Sequence, residues 1–169
     1  MPSLFTRLRS APPVSSAAYD AAVNAARSPH WYREGEVPDT MDGRFSVLAT
    51  VLALGTLRIE AEGDRYRAAA VALTEAFIAD MDAQMREQGF DATLGKQVRH
   101  LVGSLASRVD RWRRALAGEG DWSETVRRSL YRDDPVNDQA LAHAAGECRA
   151  LVDRLAALDI AAVVAGRWS

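Results

Sequence analysis

The run of residues 45–57, just after the segment VPDTMDG, constrains the fold of this chain more than any other feature. Its 13 residues include no charged side chain, and apolar residues point in nearly every direction when the run is drawn as a helix. Such a helix is about 20 Å long, whereas the hydrocarbon of a bilayer is roughly 30 Å thick. The run therefore predicts a buried helix at the centre of a bundle, and not a membrane span.

The rest of the chain has a helical pattern, because apolar residues recur at spacings of three and four. Ser15 or Ser16 is expected to cap a first helix that Pro29 ends. Further helices are predicted over residues 40–60, 64–88, 94–117, 121–132 and 137–164, the last with a bend at Gly146. The prediction is an all-α, single-domain helical bundle over residues 15–169, with three long helices plus shorter N- and C-terminal helices. A flexible or docking segment, residues 1–14, is expected to precede it.

The apolar faces of the long helices indicate how they pack. Small residues on one side of the second helix would let a neighbouring helix approach closely: Ser46, Thr50, Ala53 and Thr56. The third helix carries an apolar stripe, flanked by Leu73 and Phe77, that consists of Val71, Thr74, Ile78, Met81 and Met85. The inner face of the fourth helix is predicted to consist of Leu94, Val98, Leu101, Leu105, Trp112 and Leu116.

The overall composition is that of a globular protein in a reducing compartment. The chain is 48% apolar with a net charge of −2, which argues against a general nucleic-acid binder. Its one cysteine, Cys148, excludes an internal disulfide and a cysteine-based zinc cluster. The N-terminus lacks the apolar run of a secretory signal. We therefore expect a cytoplasmic protein, or one lying peripherally at the inner face of the cytoplasmic membrane.

The sequence contains no recognisable catalytic motif. His30, His100 and His143 do not have the spacing of a zinc or haem motif, and no nucleophile elbow, phosphate loop or dinucleotide fingerprint is present. Asp80 and Asp82 are two positions apart, so a helix would place them on opposite borders of its apolar stripe. We expect no catalytic residues, no metal and no cofactor. A helical protein that binds haem or another small ligand stays open as an alternative.

The fourth helix has a basic face, for which the candidate residues are Lys96, Arg99, Arg111 and Arg114. Arg108 and Arg113 are expected on the same outer face, which Arg127, Arg128 and Arg132 would continue. One interpretation is a solvated face paired to acids such as Asp80, Asp82 and Glu87. The other is attraction to phosphate on ribosomal RNA or on an anionic membrane, which would make the protein a ribosome or membrane-surface adaptor. No aromatic platform or recognition helix indicates sequence-specific binding of nucleic acid.

The acids in VPDTMDGRF are best explained as the start of the second helix. Asp39 or Thr40 suits the N-cap, and Asp42 suits the positive end of the helix dipole. Pro38 fixes the entry of the chain, and Gly43 allows a close backbone approach. The loop before this turn has the composition of a protein-binding patch, with Trp31, Tyr32 and Arg33.

Three segments together resemble the ubiquinol–cytochrome c chaperone family. They are PHWYREGEVPDTMDGRF, FIADMDAQMREQG and LGKQVRHLVGSL, and the resemblance extends from about Tyr19 to Arg132. The most specific pieces are VPDT-x-x-GRF at 37–45, ADMD at 79–82 and the pair Gly95–Lys96. In this order and spacing they form a strong signal.

The resemblance implies a non-enzymatic chaperone for assembly of the cytochrome bc1 complex, as found in mitochondria and alphaproteobacteria. Its client would be newly made cytochrome b, with contact to the ribosome or the inner membrane and a small helper protein. The family-like positions are Tyr32, Arg33, Val37, Pro38, Asp39, Thr40, Gly43, Arg44, Phe45, Asp80, Asp82, Gly95 and Lys96. The predicted client surface consists of the family-like positions from Tyr32 to Asp82, together with Trp31 and Asp42. Whether they contact the client or only hold the bundle together stays open.

Overall fold

The computed structural model describes residues 16–89 and 92–169, with Leu94 described by its backbone alone. Over these residues the chain forms α-helices and short 3-10 turns, and no strand occurs in them. The predicted all-α class is confirmed. The helices are α1 (Ala17–Ala26), α2 (Met41–Glu60), α3 (Arg67–Glu87), α4 (Leu94–Leu116), α5 (Trp122–Leu130), α6 (Asp138–Ala157) and α7 (Ile160–Val164). The predicted N-terminal segment, residues 1–14, and the alternative cap Ser15 lie outside the described residues.

Four helices begin where a side chain caps the backbone. Ser16, Thr40, Asp121 and Asn137 each accept a hydrogen bond from the backbone N–H three residues further on, over 2.6–3.1 Å. Such a cap satisfies one of the N–H groups that the first helical turn leaves without a partner, which is typically worth about 1 kcal/mol. These contacts fix the starts of α1, α2, α5 and α6 close to their predicted positions.

Helix α2 lies at the centre of the bundle, as its apolar sequence predicts. Thirteen of its 20 residues are buried, and it contacts all six other helices. Helix α6 is as long as α2, so it joins α2, α3 and α4 as a fourth long helix. No helix in the described part of the chain has both the length and the apolar character that a membrane span requires.

The C-terminal segment is fixed to the last turns of α2. Arg58 donates hydrogen bonds to the carbonyl oxygens of Leu155 and Leu158, at 2.9 and 3.1 Å. The indole of Trp168 lies against the backbone of α2, where a Cβ atom on Gly55 would be only 2.5 Å from the ring. A glycine at position 55 is therefore what allows the C-terminus to pack this closely.

The structure corrects the predicted helix faces at three positions. Arg108 was expected on the outer face of the fourth helix, but it is 4% exposed and points inward. Val71 and Leu116 were expected in apolar stripes, but both are exposed, at 48% and 39%. The buried face of α3 is centred instead on Leu73 and Phe77.

Helix α6 runs through Gly146, where a bend was predicted, without interruption. The break in the C-terminal helical region lies further on, at Leu158, whose extended backbone separates α6 from α7. The Leu158 carbonyl freed by this break is one of those that Arg58 binds.

Candidate functional site

A groove of about 940 Å³ opens between the end of α1, the loop after it, the start of α2 and the second half of α3. Seven of the residues predicted for the client surface line it, although they come from two distant parts of the sequence: Tyr32, Arg33, Asp39, Thr40, Arg44, Phe45 and Asp80. Six others do not line it: Trp31, Val37, Pro38, Asp42, Gly43 and Asp82. The fold thus brings the two most family-like segments, at 32–45 and at 79–82, to one surface.

The groove has an apolar floor and a charged rim. Phe45 and Leu48 of α2 are half-buried in the floor, next to Met81 of α3. At the rim, Arg33 and Arg44 are exposed, and the side chain of Met41 is 56% exposed. A surface with an apolar centre and a polar edge is typical of a protein-binding site.

The loop between α1 and α2 is packed tightly onto the helices behind it. The indole N–H of Trp31 donates to the Ala25 carbonyl oxygen, and the Tyr32 hydroxyl donates to that of Ala26, both at 3.0 Å. The backbone N–H of Val37 donates to the Trp31 carbonyl oxygen at 3.0 Å, which closes the loop. Trp31 and Val37 are 3% and 2% exposed. These two predicted contact residues therefore hold the loop in place, and a partner on the surface cannot reach their side chains.

Asp39 and Thr40 have structural partners in the turn into α2. Thr40 caps the helix, and Asp39 forms an exposed ion pair with Arg44, with 2.6 Å between the carboxylate oxygen and Nε. The hydrogen bond from Arg44 lowers the pKa of Asp39, so this carboxyl is held in its charged form. A Cβ atom on Gly43 would be 1.8 Å from the Pro38 carbonyl oxygen, so this position requires glycine. Pro38 and Gly43 shape the turn.

Asp80 connects the edge of the groove to α1. Its carboxylate accepts hydrogen bonds from the Tyr19 hydroxyl at 2.5 Å and from the Gln84 amide at 3.1 Å. Burial and the bond to Asp80 both raise the pKa of Tyr19, so the phenol stays protonated and remains a donor. Asp82 pairs instead with Arg86 on the outside of α3, at 2.9 Å. The two acids lie on different sides of the helix, as their spacing predicts.

Sequence reasoning did not identify Tyr19 as part of this surface. A signal was present, because Tyr19 is the only large side chain on the small, buried face formed by Ala18, Ala22 and Ala26. A tyrosine there must place its hydroxyl against the neighbouring helix. Its partner could not be read from the sequence, since Asp80 lies 61 residues away.

The predicted basic face forms a second groove, of about 790 Å³, between α4 and the end of α5. Arg99 and Arg111 line it, and so do Arg108, Arg128 and Arg132, whereas Lys96 and Arg114 lie outside it. Burial, together with the charges of Arg128 and Arg114, lowers the pKa of Arg111. Within the described residues, no carboxylate lies within ion-pair distance of Arg99 or Arg111.

Two of the three acids expected to neutralise this face, Asp80 and Asp82, bond elsewhere, and Arg113 of the face is paired with two other acids. Arg113 pairs with Glu60 and Asp110, at 2.9 and 2.5 Å. Asp80 and Asp82 bond within their own region of the fold, so the basic groove keeps an excess of positive charge.

Two histidines that the sequence left apart are brought together on the other side of the loop. His30 Nδ1 lies 3.3 Å from His143 Nε2, and His30 Nε2 lies 3.7 Å from an oxygen of Glu147. These three form the one cluster of potential metal ligands found in the described residues. The histidines have no metal-binding spacing in the sequence, so the sequence did not predict this cluster. The cluster combines the loop residue His30 with His143 and Glu147, which are four residues apart on α6.

Comparison with known proteins gives one family and one structure. The family model described as ubiquinol–cytochrome C chaperone matches residues 33–169. The crystal structure of the Cbp3 homolog from Brucella abortus is 26% identical, with a TM-score of 0.75, and the match covers 89% of this chain and 84% of that one. No curated protein gives a significant match.

Proposed function

The chain belongs to the ubiquinol–cytochrome c chaperone family, and from this premise we propose that it binds newly made cytochrome b during assembly of the bc1 complex. The observation that supports this proposal is the groove between α1, α2 and α3, where seven predicted surface residues converge. The protein would act by binding and release, with no catalytic step.

The chemistry of the groove suits an apolar client segment with polar ends. Phe45 and Leu48 offer half-buried apolar surface, and the buried side chain of Met81 lies next to them. Methionine adapts its shape to different partners. The rim offers Arg33 and the Asp39–Arg44 ion pair to polar groups next to such a segment. A membrane protein such as cytochrome b exposes apolar segments until it is assembled, and covering one would keep it from aggregating.

The test replaces exposed rim residues, whose substitution leaves the core intact. Met41→Lys and Arg44→Glu are expected to weaken the capture of newly made cytochrome b by about tenfold or more if these residues are hot spots. The readouts are co-purification of cytochrome b with each variant, and reduced-minus-oxidised spectra of membranes from cells in which the variant replaces the wild-type protein.

Matched controls lie elsewhere on the surface. Val71→Lys changes an exposed apolar residue outside this groove, and Arg67→Glu breaks an exposed ion pair with Asp64. Both controls should support normal cytochrome b levels. The proposal is wrong if the Met41 and Arg44 variants bind cytochrome b as the controls do, or if loss of the protein leaves bc1 activity unchanged.

The basic groove favours a second, peripheral role. Its unpaired cations Arg99 and Arg111 would attract the anionic inner face of the membrane, where cytochrome b is inserted. Charge reversal at Arg99 and Arg111 is expected to abolish co-sedimentation with vesicles that contain anionic lipid, and to leave cytochrome b binding in detergent intact. If the variant still binds vesicles but no longer binds ribosomes, the basic groove serves the ribosome instead. A small helper protein, if one is required, would be recovered in the experiment in which cytochrome b co-purifies with this protein.

A further inference from the structure

The cluster of His30, His143 and Glu147 has the composition and geometry of a metal site. His143 and Glu147 lie one turn apart on α6, so their side chains share a face of the helix. His30 reaches them from the 3-10 turn Pro29–Trp31. One ligand atom from each residue can be chosen so that all three lie within 4.8 Å of one another.

The distance between the two imidazoles is that expected between two nitrogens bound to one ion. Zinc–nitrogen bonds of about 2.0–2.1 Å at tetrahedral angles place neighbouring ligand atoms about 3.3–3.5 Å apart. His30 Nδ1 and His143 Nε2 are 3.3 Å apart, as in such a site, whereas the 3.7 Å contact to Glu147 is made by Nε2, the other nitrogen of His30. An ion bound to Nδ1 would therefore require the Glu147 carboxylate to turn toward it. Good N–H···O hydrogen bonds are about 2.7–3.2 Å long, so neither contact is a strong hydrogen bond.

The surrounding structure holds the ligands in position. The ring of His30 contacts that of Trp31 at a tilt of 43°, with 4.5 Å between centroids. The backbone carbonyl of His30 accepts a hydrogen bond from the Gly35 N–H at 2.8 Å. The side chains of His30 and Glu147 are 27% and 36% exposed, so an ion could enter from solvent and keep a water molecule.

We propose that His30, His143 and Glu147 bind a divalent transition metal ion, with Zn²⁺ as the best match to two imidazoles and one carboxylate. Cys148 is not a ligand, because its thiol is fully buried and burial raises its pKa. The ion would join the loop to α6 directly behind Tyr32, which lines the client groove. The site does not depend on the proposed chaperone function, since its geometry is independent of any client.

The test titrates tag-free, chelator-treated protein with Zn²⁺, and separately with Co²⁺ to obtain its visible absorption. Calorimetry should show one Zn²⁺ per chain, and at 100 times the dissociation constant the melting temperature should rise by about 5–10 °C. His143→Ala and Glu147→Gln should each weaken binding by about tenfold or more and change the Co²⁺ spectrum.

His100→Ala is the matched control, because His100 is exposed on α4, away from this cluster. It should bind Zn²⁺ as the wild-type protein does. Glu147→Gln keeps the size of a half-exposed side chain, so it tests binding even if His143→Ala unfolds the protein. The proposal is overturned if the wild-type protein binds no stoichiometric Zn²⁺, or if Glu147→Gln binds it with unchanged affinity and an unchanged Co²⁺ spectrum.

Discussion

The hydrogen bond from Tyr19 to Asp80 should contribute measurably to stability. Tyr19→Phe removes the hydroxyl and keeps the ring, which is 7% exposed in the core. The lost bond is 2.5 Å long and ends on a carboxylate, and bonds to charged groups contribute about 1.5–3 kcal/mol. Asp80 keeps its bond from Gln84, so we expect the lower end, about 1.5 kcal/mol. In a chain of this size that corresponds to a fall in melting temperature of about 3–6 °C.

Urea unfolding of Tyr19→Phe against Tyr66→Phe measures this effect. Tyr66 is half-buried, and among the described residues its hydroxyl has no hydrogen-bond partner, so its variant should lose little stability. Adding Asp80→Ala to Tyr19→Phe should cost less than the sum of the two single changes, because both remove one interaction. If the two Tyr→Phe variants unfold at the same urea concentration, the bond does not stabilise the protein and this reasoning is refuted.

Further predictions concern two glycines and one histidine. Gly55→Ala places a methyl group 2.5 Å from Trp168 and should destabilise the protein by about 1–3 kcal/mol in urea unfolding. Gly146→Ala, in open space within α6, should stabilise it by about 0.5–1 kcal/mol, and a destabilisation would contradict the reasoning. Burial lowers the pKa of His30 in the folded protein below its ordinary value of 6.5. Between the folded-state and the unfolded-state pKa, His30 therefore binds more protons in the unfolded chain than in the folded one. The free energy of unfolding should therefore fall as the pH drops below about 6.5, and it should fall less in His30→Gln. If this variant has the same pH profile as the wild-type protein, protonation of His30 does not control the stability.

The helix boundaries could be predicted because their causes are local. Thr40 caps α2 by accepting a bond from the backbone only three residues away, and the same holds for Asn137 at α6. Such signals lie within a few residues of sequence and do not depend on the rest of the fold. The break at Leu158 was missed, and the partner of the carbonyl that it frees is distant in the sequence, because Arg58 of α2 donates to it.

The inward position of Arg108 shows where helical periodicity misleads. Its guanidinium donates to the Ser129 carbonyl oxygen and to the hydroxyls of Ser104 and Ser46. Oxygens from three helices replace water around a buried cation, which burial would otherwise strongly disfavour. Its pKa is lowered to about 10, chiefly by burial, so the group remains charged at neutral pH. A sequence pattern assigns arginine to the surface because it cannot show such distant partners.

The candidate site was partly predictable, because one part of it is a single continuous segment. Residues 32–45 form one continuous segment, so their common surface could be anticipated from the sequence. The partners of that segment could not be anticipated. His30 and His143 are 113 residues apart, and Tyr131 reaches Gly35 across 96. Contacts of this range depend on how α5 and α6 pack behind the loop, which no local pattern specifies.

Tyr131 provides a test of whether the packed loop matters for binding a client. It is 1% exposed, and its hydroxyl donates to the Gly35 carbonyl oxygen at 2.5 Å, behind the residues Tyr32 and Arg33 that line the groove. Tyr131→Phe leaves this carbonyl without its strongest bond, so the loop should lose order and the capture of cytochrome b should weaken, although no groove residue has changed. The measurement is co-purification of cytochrome b well below the melting temperature, with Tyr66→Phe as the control. A Tyr131→Phe protein that is less stable but binds cytochrome b normally would show that the order of the loop is unnecessary for client binding.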